Sequence, residues 1–179
     1  EAAVNAVNNE LGTRVSLKKV MEATATTSGQ VKAQLGGSSE AISRAVVTAK
    51  ALGFELEQIA GIGKKLLSFE ESIGAELKAE LLTGKQLNLE KARMAALTGD
   101  YETLTKEINA NVGSFAEYSK MNVLQQDAIA EAVGMTSDSL SETLLKQGDM
   151  KAMMAEAVAT GDTQTIQQLE QLSTQEKFA

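Results

Sequence analysis

The chain has 179 residues and contains no proline, cysteine, histidine or tryptophan, which excludes disulfides, thiol nucleophiles, imidazole bases and most transition-metal sites. Its net charge is −7, and because Lys and Arg are dispersed among the acids, strong binding to nucleic acid is disfavoured as well. Apolar residues make up 43% of the chain but aromatic residues only 3%, so we expect an all-α fold whose helices are interrupted only by glycine.

The first predicted unit, residues 1–37, consists of N-terminal helices that end in a weakly ordered joint rich in Thr, Ser and Gly. In the sequence Gly36-Gly37-Ser38-Ser39, the glycines can end one helix and a serine can begin the next. A serine hydroxyl does so by accepting a hydrogen bond from a free backbone N–H of the first turn. We therefore expect a hinge at this joint, with Ser38 as the cap of the following helix.

The second predicted unit, residues 38–83, carries a heptad pattern of apolar residues. This spacing is typical of a coiled coil. It predicts extended, coiled-coil-like helices in the N-terminal part, with a candidate oligomer interface formed by Ile42, Ala45, Ala49, Leu52, Leu56, Ile59, Leu66 and Ile73. The same pattern also fits amphipathic helices packed inside a globule. A third interpretation is a membrane-active stretch within residues 52–73, where apolar residues adjoin Lys64 and Lys65.

The third predicted unit, residues 84–179, has the pattern of a compact bundle of short helices divided by tight turns. Glycines can end helices in the left-handed conformation, and Asn, Asp, Ser or Thr side chains can begin the next ones. Gly-Asp pairs at positions 99–100, 148–149 and 161–162 combine both signals, and each predicts a helical hairpin. The predicted helix caps in this unit are Asn88, Asp100, Ser114, Asn122, Thr136, Asp149 and Asp162.

Few groups in the chain are suited to catalysis. Glu76 and Glu80 lie one helical turn apart, the spacing at which two carboxylates can share a proton or a cation. No third type of ligand accompanies them, so we expect them on a solvated helix face near Lys78. The aspartates of the Gly-Asp pairs lack the spacing of a calcium loop, and capping explains them. We therefore predict no catalytic residue, no cofactor, no metal site and no enzymatic activity.

A series of segments between about residues 65 and 147 carries a family resemblance. The segments are Leu67–Ile73, Ala79–Arg93, Ala96–Asp100, Lys120–Gln126 and Ala132–Thr136. In this order they resemble a helical region of tape measure proteins from long-tailed bacteriophages. The resemblance fades on both sides and includes no catalytic motif. The chain begins at Glu1 rather than at methionine, so we expect a processed product or the ordered piece of a longer chain.

The resemblance implies a structural virion protein that sets tail length and contacts the tail tube or the baseplate hub. Such a protein is assembled in the host cytoplasm and lies inside the phage tail. It associates with copies of itself, as a trimer by the resemblance, binds no specific nucleic acid and touches the membrane transiently on ejection. A related contractile injection system would need the same kind of length-setting protein. The alternative from another class is a helical adaptor that binds a partner helix in a groove.

Overall fold

A computed structural model describes residues 1–161 of the protein, and these residues form eleven α-helices and no strand. The prediction of an all-α fold is confirmed. The helices are α1 (Ala2–Leu11), α2 (Leu17–Thr26), α3 (Gly29–Gln34), α4 (Ser39–Ala51), α5 (Leu56–Leu66), α6 (Phe69–Thr83), α7 (Glu90–Thr98), α8 (Tyr101–Val112), α9 (Phe115–Tyr118), α10 (Val123–Ala132) and α11 (Ser137–Thr160).

The segment at 38–83 is not one extended helix but three helices, α4, α5 and α6, that fold into a compact bundle. The chain leaves α4 at Gly53, whose φ of 80° takes it out of the helical conformation. Glu55 and Gln58 then form a capping box that starts α5. A second break, at Leu67 and Ser68, separates α5 from α6. The prediction of extended N-terminal helices therefore failed because two local stop signals interrupt the heptad pattern.

One hydrophobic core joins all three predicted units. Helices α1 and α2 pack on α4, and α4 packs on α8. Helix α5 lies against α7 and α8, and α6 lies against α10. The packing thus crosses both predicted boundaries, at 37/38 and at 83/84. Ion pairs cross the boundaries as well. Arg44 of α4 binds Glu102 of α8 at 2.8 Å across the second boundary, and Lys106 of α8 binds Glu10 of α1 at 2.7 Å across both.

Most of the predicted cap residues form a hydrogen bond to the first turn of the helix that they were expected to begin. Ser38, Asp100, Ser114 and Asn122 each accept a hydrogen bond from the backbone N–H three residues ahead. Thr136 does the same for Ser139 N at 3.2 Å. The Asn88 side chain accepts from Glu90 N at 3.3 Å, although Leu89 occupies the cap position of α7.

The Gly-Asp pair at 148–149 does not form the predicted hairpin. Helix α11 runs through it without a break, so Asp149 lies inside a helix and caps none. The first half of α11 packs on the core through the buried side chains of Leu140 and Leu144. From Gly148 onward, every side chain that the structure describes is exposed. The remaining predicted cap, Asp162, lies outside the described residues.

Candidate interaction surface

Helix α6 has the reverse of the usual arrangement of polar and apolar faces. Ser72 and Ala79 are its only buried residues, and Glu76 and Glu80 are partly buried beside them. The side of α6 that faces the protein is therefore made of small and acidic residues. A helix that packs on a core normally turns its large aliphatic side chains inward.

The polar side of α6 holds the connection between α6 and α7, which has no regular structure. Glu76 Oε1 accepts a hydrogen bond from Leu89 N at 3.0 Å, and Glu80 Oε1 accepts one from Leu87 N at 2.8 Å. Arg93 of α7 forms an ion pair with Glu76 and donates from Nε to Ser72 Oγ at 2.9 Å. Glu76 and Glu80 thus bind backbone and arginine, and the expectation of a solvated helix face was wrong for both.

The opposite side of α6 exposes a row of large apolar side chains. Phe69, Ile73, Leu77 and Leu81 follow one another at intervals of four residues, so they lie along one side of the helix. Their exposed fractions are 48, 46, 54 and 87%. We call these four residues, together with Leu82, the α6 surface. Single exposed apolar residues are common, but a continuous row is typical of a binding surface.

The start of α10 adds further exposed apolar residues at one end of this surface. Helix α10 runs antiparallel to α6, because Gln125 binds Leu82 O at 2.9 Å while Glu131 binds Lys78 at 2.8 Å. Val123 and Leu124, just before Gln125, are both exposed. The apolar area therefore extends from α6 to the beginning of α10.

The charges around the α6 surface are unevenly distributed along the helix. Glu70 and Glu71 lie in its first turn, where their negative charges interact favourably with the positive end of the helix dipole. Lys78 lies two turns further on and is more than half exposed in spite of its ion pair with Glu131. The start of the α6 surface is therefore negative, whereas the positive charge of Lys78 further along is balanced by Glu131.

The residues predicted as an oligomer interface lie mostly inside the chain's own core. The buried ones are Ile42, Ala45, Ala49, Leu52, Leu56, Ile59 and Leu66, and only Ile73 is exposed. Membrane contact through residues 52–73 would likewise require Leu52, Leu56 and Ile59 to leave the core. The heptad reading included Ile73 but missed Phe69, Leu77 and Leu81, whose four-residue spacing was the available signal.

No constellation suited to catalysis or metal binding accompanies this surface in the described part of the chain. Among residues 1–161, no three acidic side chains lie together as a metal site. Nor does any helix within that range combine the length and the apolarity needed to cross a bilayer. A concavity of about 320 Å³ lies between α8, α9 and α11, and Lys151 is the one charged residue in its lining. The α6 surface is therefore the strongest candidate for a functional site.

No protein-family model, no curated protein and no solved structure matches this chain.

Proposed function

We propose that this chain is a structural module of a bacteriophage tail tape measure protein and that it acts by docking onto other tail components rather than by catalysis. The observation that carries the proposal is the α6 surface, a row of large apolar side chains that the described part of the chain leaves between 42 and 87% exposed. The segments that resemble tape measure proteins cover both ends of α6 and of α10, but not residues 74–78 and 127–131 between those ends. The proposed location is the phage tail.

The compact fold of the described part favours one task within a tail over another. As one continuous helix, 161 residues would extend roughly 240 Å at 1.5 Å per residue. A compact domain of that length has a radius of gyration of about 15 Å. A ruler needs length, and eleven packed helices provide little of it. In our proposal residues 1–161 anchor the protein at the tail tube or the baseplate hub, while helices that remain extended measure tail length.

An in-frame deletion of residues 2–147 in the virus that encodes the chain tests this assignment. An anchoring module predicts far fewer assembled tails, whose length is unchanged when measured by electron microscopy. A ruler segment predicts the normal number of tails, each shortened by up to about 220 Å, because every helical residue removed takes away 1.5 Å. Shortened tails would contradict the anchoring role, and absence of the chain from purified particles would contradict the tail assignment altogether.

Point variants connect the same experiment to the α6 surface. Replacing Leu77 and Leu81 with glutamine should reduce the yield of tails, because a polar side chain weakens apolar docking. Met21→Gln, on the exposed side of α2, is the matched control and should leave the yield unchanged. An equal yield from all variants would show that docking does not use α6.

The α6 surface also fits a second function, that of a helical adaptor. An exposed aliphatic row can receive one amphipathic partner helix, whose apolar residues at intervals of three and four face it. Mass spectrometry of purified particles separates the two proposals. The chain is found in particles if it is a tail component and is absent from them if it is a cellular adaptor. If the chain belongs to the tape measure protein of a contractile injection system, it would be found in purified injection-system particles instead of phage particles.

A further inference from the structure

Gly74 lies in the middle of the exposed side of α6, between Ile73 and Leu77, and its own chain does not require it. It has ordinary helical geometry, and a Cβ added to it would meet no atom within 4 Å. Glycine in a helix interior lowers the folding equilibrium by roughly fivefold relative to alanine. Gly61 and Gly148 are helical glycines with equally open Cβ positions, but only Gly74 lies beside the α6 surface, where a closely approaching backbone would account for it.

The charges around Gly74 are complementary to a second copy of the same helix in the antiparallel orientation. Glu70 and Lys78 are each four residues from Gly74. A two-fold axis near Gly74 therefore places Glu70 of each copy opposite Lys78 of the other. The Lys78 ammonium has three N–H donors, so it can bind this carboxylate while keeping its ion pair with Glu131. A parallel pair would place Glu70 beside Glu70, which is repulsive.

The apolar area also suits a second copy. The exposed parts of the α6 surface amount to roughly 500 Å², near the upper end of the largest apolar patch on a typical monomer. Two such surfaces facing each other would bury at most roughly 1,000 Å², which is about the minimum for a specific interface. The match predicts a weak but specific pair.

From these three observations we infer that two copies of this chain form a two-fold symmetric dimer through antiparallel α6 helices that cross at Gly74. An isologous contact of this kind closes on itself, so it yields dimers rather than fibres. The second copy is thus a partner for the surface on which the proposed function rests, and this two-fold pair differs from the trimer that the resemblance to tape measure proteins implies. Pairing is measured on the purified chain, so its failure is distinguishable from failure of the tail proposal, which is measured on particles.

Sedimentation velocity of the full chain over a range of concentrations tests the dimer. We expect a monomer–dimer equilibrium with a Kd on the order of 10–100 µM, as suits an interface near the minimum size. Leu77→Gln should weaken it at least tenfold, whereas Met21→Gln, the control on α2, should leave it unchanged. A monomer at millimolar concentration, a trimer, or a dimer insensitive to Leu77→Gln would each overturn the inference.

Replacing the glycine gives a result that a merely destabilising change cannot imitate. Gly74→Ala should raise the midpoint of urea unfolding, since alanine is the better helix former, yet weaken dimerisation several-fold, because the methyl group separates the two backbones. Gly61→Ala in α5 is the matched control, since Gly61 is also an exposed helical glycine with open space around its Cβ position. It should raise the unfolding midpoint and leave the dimer intact. Equal dimerisation in both variants would refute close contact at Gly74.

Cysteine cross-linking determines the orientation of the two helices. Because the chain has no native cysteine, every disulfide formed involves an introduced residue. A mixture of Glu70→Cys and Lys78→Cys chains should form an intermolecular disulfide under mild oxidation, while neither variant alone should do so efficiently. In the antiparallel pair, identical cysteines lie about 12 Å apart along the helix, beyond the roughly 7 Å limit between Cα atoms for a disulfide. Efficient cross-linking of Glu70→Cys alone would indicate a parallel pair and contradict the inference.

Discussion

Replacing Glu76 with glutamine tests how strongly the polar contacts beneath α6 stabilise the fold. The side chains of Glu76 and Arg93 are only 13 and 12% exposed, so the ion pair between them is largely removed from water. Removing one partner of a buried pair costs about 3–5 kcal/mol, because the remaining charge loses its compensation. Glutamine still offers an oxygen to Leu89 N, and Arg93 keeps its bond to Ser72, so we expect about 2–3 kcal/mol.

The measurement is urea unfolding followed by far-ultraviolet circular dichroism, for the wild type, Glu76→Gln, Arg93→Met and the double variant. Because the double variant leaves no unpaired charge, its loss of stability should be smaller than the sum of the single losses by about 1–3 kcal/mol. Glu70→Gln, an exposed acid of the same helix, is the control and should change stability by less than about 0.5–1 kcal/mol.

An additive double variant would refute the coupling between Glu76 and Arg93. A loss below about 0.5 kcal/mol for Glu76→Gln would show that the inner face of α6 is hydrated rather than sealed. Either result would also weaken the case for the α6 surface, since the outward position of its apolar row depends on the polar side packing inward.

Two further predictions concern parts of the fold away from α6. Burial alone would raise the pKa of Glu102, but hydrogen bonds and positive charge from Arg44 and Lys106 outweigh it and hold the pKa below its usual value. A lowered folded-state pKa contributes stability above the unfolded value of about 4.3 and loses it as the pH falls through the folded value, so the stability difference between wild type and Glu102→Gln should shrink from pH 6 to about pH 3. The second is Gly99→Ala, which should cost at least about 2 kcal/mol more than Gly84→Ala in urea unfolding. Both glycines have positive φ, but only at Gly99 would a Cβ lie 2.4 Å from a backbone carbonyl oxygen of α3; equal losses would contradict that close approach.

Local signals in the sequence predicted helix starts well, because capping acts over three residues. Asn122 and Gln125 form a reciprocal capping box, and Asp100 accepts from Thr103 N at 3.1 Å. Both contacts are complete within one turn of helix, so no distant part of the chain is needed to form them.

The same local signal failed where tertiary contacts decide. Gly99-Asp100 and Gly148-Asp149 have the same two residues, yet the first forms a hairpin and the second lies within α11. At Gly99 the turn lets α8 fold back onto α7, and the carbonyl oxygen of Gln34 approaches too closely for any side chain. At Gly148 a Cβ would meet nothing within 4 Å, so no contact there favours a turn over continued helix.

The heptad pattern identified buried positions but not what covers them. Seven of its eight residues are indeed apolar positions facing a core, as in a coiled coil, but the core belongs to one chain. A stripe with a period near 3.5 residues is produced by either arrangement, so periodicity alone cannot separate them. The breaks at Gly53 and Ser68 separate them, since each ends a helix that a coiled coil would continue.

The reversed faces of α6 connect the fold to the proposed function. The connection between α6 and α7 is irregular, so its backbone N–H groups at Leu87 and Leu89 need acceptors that no helix or strand provides. Glu80 and Glu76 supply them, and this requires the acidic side of α6 to face inward. The large aliphatic side chains of α6 therefore lie on its solvent-exposed side. Their exposure follows from how the chain satisfies its own backbone, and a second copy or another docked partner would remove that apolar area from water.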